Sequence, residues 1–141
     1  MNLYDYHVNS NALYGYNNRE NIPSIFWEIH QYDDDDELVK YENIIAQDAN
    51  ASVSYASVYL NAPFEKGEDI IAKSALFSNS YALNVLHGPF PKGEDIISKN
   101  ANFSFLYATE TLKGRFQLGE KIMKTDPDIW KAYIKKYGDN I

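Results

Sequence analysis

Phe64-Glu65-Lys66-Gly67-Glu68-Asp69-Ile70-Ile71 returns as Phe90-Pro91-Lys92-Gly93-Glu94-Asp95-Ile96-Ile97, and again as Phe116-Gln117-Leu118-Gly119-Glu120-Lys121-Ile122-Met123. The offsets, 90 − 64 and 116 − 90, are both 26. A second signature keeps the same step: Tyr55-Ala56, Tyr81-Ala82 and Tyr107-Ala108, closed by Tyr133-Ile134. Two different signatures in one register mark stacked repeats, each too small to bury its apolar face alone. Such stacks favour an extended contact surface over a pocket built for chemistry.

Counting back 26 residues from Gly67 reaches Tyr41, and Glu42-Asn43-Ile44-Ile45-Ala46 then aligns with Glu68-Asp69-Ile70-Ile71-Ala72. Four units therefore start near residues 41, 67, 93 and 119. In each, an adjacent apolar pair (Ile44/Ile45, Ile70/Ile71, Ile96/Ile97, Ile122/Met123) suits a short first helix. Glu42, Glu68, Glu94 and Glu120 fall in its first turn, where a carboxylate suits the helix dipole, and they read as caps. Asp48, Ser74, Asn100 and Asp126 share the next register position and are all strong N-cap types, with Pro127 at the first helical position after the last. They open a longer second helix. Its buried stripe reads Ala51/Phe77/Phe103/Ile129, then Tyr55/Tyr81/Tyr107/Tyr133, then Ala56/Ala82/Ala108/Ile134 and Leu60/Leu86/Leu112. Small Ala beside large Tyr lets neighbouring helices approach while the ring fills the gap, which makes the tyrosine ladder core rather than a binding stack. Gly88 and Gly114 are expected as the left-handed residues that end this helix, with Pro63 and Pro89 blocking its continuation. Phe64, Phe90 and Phe116 should anchor the turns between units.

The expected fold is all-α, a right-handed α-solenoid of about four two-helix repeats. Residues 38–141 form the solenoid and its C-terminal capping helix, in which Lys131, Lys135 and Lys136 place charges where a further unit would make contact. Residues 1–37 form an irregular, acidic, Tyr/Asn-rich N-terminal cap. There Tyr4, Tyr6, Tyr14 and Tyr16 alternate as in short strands or a meander, and a helix entered at Pro23 would pack Ile25, Phe26 and Ile29 onto the first repeat.

The net charge of −7 all belongs to that head. Residues 1–37 hold Asp5, Glu20, Glu28, Asp33, Asp34, Asp35, Asp36 and Glu37 against Arg19 alone, so 1 − 8 = −7, while the remaining acids and bases cancel. Asp33, Asp34, Asp35, Asp36 and Glu37 read either as a solvated charge run or, next to Tyr32 and near Trp27, as an acidic and aromatic patch that imitates phosphates or docks on basic side chains. These seven residues are the candidate partner-binding site. The exposed faces of the repeats, including Glu110, Lys113 and Arg115, are the second candidate.

Gly88-Pro89-Phe90-Pro91-Lys92-Gly93-Glu94-Asp95-Ile96-Ile97-Ser98-Lys99 and the segment from Tyr107-Ala108 to Arg115-Phe116-Gln117-Leu118-Gly119-Glu120 resemble a set of short helical repeats in bacteriophage and large DNA-virus proteins. Those units read Gly-Arg-Phe-x-x-Gly-Glu-x-x-Ile followed by Tyr-Ala-x-x-x-Leu, and the resemblance covers about residues 41–138. It implies a viral protein acting in the host cytoplasm, and brings no activity or catalytic residues with it.

Few signs of chemistry appear. There is no cysteine for thiolate ligation, and His7, His30 and His87 lie too far apart for a local metal motif. His87 stands where a cation suits a helix C-terminus. The acidic run lacks the spaced ligands and central glycine of a calcium loop. Gly67-Glu68 and Gly93-Glu94 put a carboxylate where a phosphate would sit, so no cofactor is expected. No secretory leader and no apolar run of membrane-spanning length is read. The lysines are matched by acids, which disfavours direct nucleic-acid binding. A non-catalytic module that binds and inhibits or redirects a host protein, such as a defence or nucleic-acid-handling factor, is the expected function. The alternatives are an acidic nucleic-acid mimic and an enzyme with a carboxylate site across repeats, drawn from Glu68, Glu94 and Asp95.

Overall fold

Asp48, Ser74, Asn100 and Asp126 each hold extended backbone and accept a hydrogen bond from the N–H three residues on, at 2.7, 3.3, 3.0 and 3.1 Å. Each thereby satisfies a donor that a helix start leaves unpaired. The expected second helices begin at these four residues in the computed structural model, which describes residues 35–138. The fold is all-α: eight α-helices and no strand among the described residues. They are α1 (Asp35–Ile45), α2 (Ala49–Ser54), α3 (Glu65–Ile71), α4 (Ala75–Tyr81), α5 (Pro91–Ile97), α6 (Ala101–Leu106), α7 (Gln117–Met123) and α8 (Pro127–Tyr137). The first helix starts six residues before Tyr41 (41 − 35), so Glu42 lies in its later part and not in a first turn.

Two layers form. The odd-numbered helices pack in order against one another, the even-numbered ones do the same, and the core lies between. In every unit the ladder tyrosine, Tyr55, Tyr81, Tyr107 or Tyr133, is fully buried (0% exposed). The second member of each apolar pair, Ile45, Ile71, Ile97 or Met123, is buried with it. Phe64, Phe90 and Phe116 are buried as turn anchors, their rings edge-on to Tyr55, Tyr81 and Tyr107 at 4.9, 5.1 and 4.9 Å.

The layers meet closely because glycine faces serine. A Cβ on Gly67, Gly93 or Gly119 would come within 2.5–2.6 Å of the Cβ of Ser52, Ser78 or Ser104 in the preceding unit. Those serines are buried, and each hydroxyl donates to the carbonyl of Ile45, Ile71 or Ile97 at 2.9–3.0 Å, so the contact leaves no polar atom unpaired. The next position in the series, 104 + 26, is Trp130, whose ring lies under the Lys124 ammonium at 5.0 Å.

The ends of the second helices differ from expectation. α2, α4 and α6 continue without a break into π-helical turns, Tyr55–Leu60, Ala82–Leu86 and Tyr107–Leu112. The carbonyls of Ala56, Ala82 and Ala108 then accept from the N–H groups both five and six residues on. This closure puts the left-handed residue at Asn61, His87 and Lys113 (φ 49°, 52° and 51°), one position before Gly88 and Gly114 in the two later units. Gly88 and Gly114 are therefore not the left-handed caps. Gly88 and Gly114 instead donate the second closing bond, to the Ala82 and Ala108 carbonyls at 3.1 Å.

Candidate functional site

The four glutamates read as caps are bound into the core. Tyr55, Tyr81, Tyr107 and Tyr133 donate their hydroxyls to Glu42, Glu68, Glu94 and Glu120 at 2.9, 3.0, 2.8 and 2.8 Å. The hydroxyls of Tyr81, Tyr107 and Tyr133 also accept the backbone N–H of Phe64, Phe90 and Phe116. Burial, then the neighbouring Glu42 carboxylate, pushes the Tyr55 phenol far above its ordinary range. Burial and Glu68 do the same at Tyr81, and burial and Glu94 at Tyr107. Lys66 reaches back to Glu42 at 2.8 Å and Lys92 to Glu68 at 3.2 Å, while Glu120 is held by Arg115 through Nε and Nη2. Arg115, expected on a contact face, is thus part of the framework. Asp95 pairs with Lys99, four residues on and just past the end of α5.

Away from the tyrosine ladder, the second helices of the units can be compared residue by residue. Where the other units carry Asn50, Asn102 and Asp128, the second carries Leu76. Where they carry Ser57, Thr109 and Lys135, it carries Leu83; where they carry Ser54, Ser80 and Ala132, the third carries Leu106. These leucines are 51%, 40% and 44% exposed. They converge: Leu76, Asn79, Ser80 and Leu83 face Phe103, Leu106 and Glu110 across a groove of about 160 Å³ between the second helices of units two and three. The Asn79 side-chain amide donates to the Phe103 carbonyl at 2.9 Å and ties the two walls together.

At its C-terminal end the groove opens into a cleft of about 170 Å³ lined by Leu83, His87, Glu110, Thr111 and Lys113. A wider hollow of about 470 Å³ follows, lined by Thr109, Glu110, Lys113, Lys136 and Tyr137. The Tyr137 hydroxyl donates to the Ala108 carbonyl at 3.1 Å, and burial followed by the Glu110 charge pushes its phenol up. One surface therefore runs from an apolar end to a charged end. The charge around it is not neutral: residues 113–138 hold seven Lys or Arg against Glu120, Asp126 and Asp128, so 7 − 3 = +4, while residues 38–112 hold five against eight, 5 − 8 = −3.

Of the residues singled out in the head, Trp27, Tyr32, Asp33 and Asp34 lie outside the described residues, and Asp35, Asp36 and Glu37 are the first three of α1. Glu110 and Lys113 are exposed on the groove. The leucines were missed because the repeat was read for what recurs. The signal is in what departs from it: leucines at positions otherwise polar or, at Ala132, small. No group of three or more His, Asp or Glu side chains that would hold a metal occurs among the described residues, and no helix there is long and apolar enough to cross a membrane.

Comparison of the chain with protein-family models, curated proteins and solved structures finds no match. The units of the chain are then each other's comparison, and it is this internal comparison that separates framework residues from the groove.

Proposed function

We propose that the protein is a non-catalytic binding module, an α-solenoid of helix pairs whose second-helix groove takes a segment of another protein. The observation that carries this is the placing of Leu76, Leu83 and Leu106 on one groove, at positions where the other units carry polar side chains or, at Ala132, a methyl group. Exposed leucines cost solubility and add nothing to the stack, so a contiguous set of them is the usual mark of a contact surface. The resemblance of residues 41–138 to viral helical repeats supports a host protein as the partner.

The test is site-specific photocrosslinking. A benzophenone side chain placed at Ser80, inside the groove, should capture a partner from host lysate, and the same group at the polar position Ser57 of the first unit should not. The Leu83→Asp/Leu106→Asp variant should lose the Ser80 adduct while keeping its melting temperature. Equal capture from both positions, or an adduct that survives the double substitution, overturns the reading.

A further inference from the structure

We infer that the groove takes an acidic amphipathic helix, its apolar face on Leu76, Leu83, Phe103 and Leu106 and its carboxylates against Lys113 and Lys136. This rests on the reading of the groove as a partner site and names the chemistry of the partner.

The shape of the occupant follows from the walls. Leu76 and Leu83 are seven residues apart on one helix, with Asn79 and Ser80 between them, and Phe103, Leu106 and Glu110 are three and four apart on the next. Both walls thus present the stripe with which a helix meets another helix, and the furrow between two such ridges receives a third. An extended strand would instead need unpaired backbone donors and acceptors on the walls, and helices have spent theirs internally. The furrow is lined mainly by carbon at its start, so the occupant must bring apolar side chains at i, i+3 or i+4, and i+7.

Charge fixes the rest. The far end of the surface carries Lys113 and Lys136, with His87 beside them, against Glu110 alone. Both lysines are exposed, in the part of the chain with a net charge of +4 (7 − 3). A basic helix would meet like charge there, and an acidic one is both steered to that end and held in one orientation by it.

The experiment is selection from a displayed library of helical peptides, randomised on one face and at both ends, against the whole protein. In parallel it is run against the Leu83→Asp/Leu106→Asp variant and the Lys113→Glu/Lys136→Glu variant, each checked for an unchanged melting temperature. The expected winners carry apolar residues at i, i+3 or i+4 and i+7 and Asp or Glu at one end. They should bind the leucine variant at least ~30-fold more weakly and the lysine variant about 10-fold more weakly. Apolar winners with no acidic bias, or with a basic one, overturn the acidic helix but leave the groove as a contact site. Winners that bind the leucine variant equally well, or no enrichment at all, overturn the groove itself. A dimer in sedimentation that Leu106→Asp dissolves gives the surface to a second copy and overturns both.

Discussion

A phenol can donate one hydrogen bond and accept others, and three of the ladder tyrosines do both. Tyr81 accepts from the buried Phe64 N–H and donates to Glu68, a half-buried carboxylate that Lys92 also holds. Removing the hydroxyl alone orphans the buried Phe64 N–H and takes a donor from Glu68, so Tyr81→Phe is expected to cost about 1–3 kcal/mol. Removing the ring as well should raise this to about 3–5 kcal/mol in Tyr81→Ala. Urea unfolding at constant m-value checks both, and a Phe variant as stable as the parent would mean that the hydroxyl is not buried between its partners. Thr111 is the opposite case. Its hydroxyl is buried without a partner, and the equivalent residue of the preceding unit is Val85. Thr111→Val keeps the shape and removes an unpaired oxygen, so stability should rise by about 1 kcal/mol; a loss of stability would show a partner for that oxygen.

Two devices set the spacing of the helices. At the close contact, Gly93→Ala would drive a Cβ to 2.6 Å from Ser78 and should cost about 1–3 kcal/mol, part of it returned when Ser78→Gly is added. Strict additivity in this cycle would place the strain elsewhere. At the helix end, His87 holds φ 52°, a conformation that a Cβ opposes, so His87→Gly should raise stability by about 0.5–1 kcal/mol in thermal melts. No gain would mean that the imidazole makes a compensating contact. Much of this scale is legible in the chain. The step between units, the four N-caps, the buried tyrosines and the phenylalanine anchors all follow from residue type and register. The π-helical turns do not, because the choice between bonds four and five residues apart leaves no side-chain signature. That one shift moved the left-handed position from glycine to His87 and Lys113. The site was less legible still: its leucines belong to no motif and show only when units are set against each other.

For the molecule as a whole, four buried tyrosines linked to four carboxylates make alkali the weak side. Burial, and then the neighbouring carboxylate, raise the folded phenols of Tyr55 and Tyr107 above the ordinary value of about 10, as they do at Tyr81. A group raised on folding stabilises fully below its unfolded value and loses that contribution as pH climbs above it. Stability should therefore be flat with respect to these residues up to about pH 10 and fall steeply beyond. Tyrosinate absorbance from the ladder rings should appear only in step with the loss of helical circular dichroism. A single smooth titration of all twelve tyrosines with the helices intact would contradict the buried ladder.

The framework bonds also bear on how such a gene can change. Serine to isoleucine spans 7 residues, tyrosine to glutamate 13, phenylalanine to tyrosine 17 and lysine to glutamate 24, all shorter than the 26-residue step. A recombination slip that copies residues 75–100 in tandem joins Asn100 to Ala75, the junction type already present at Asn100-Ala101. Every bond in the copy then finds its partner again without a compensating mutation. Length is thus a heritable variable that this architecture can explore in single steps, while the leucine-bearing surface is duplicated along with it or left behind.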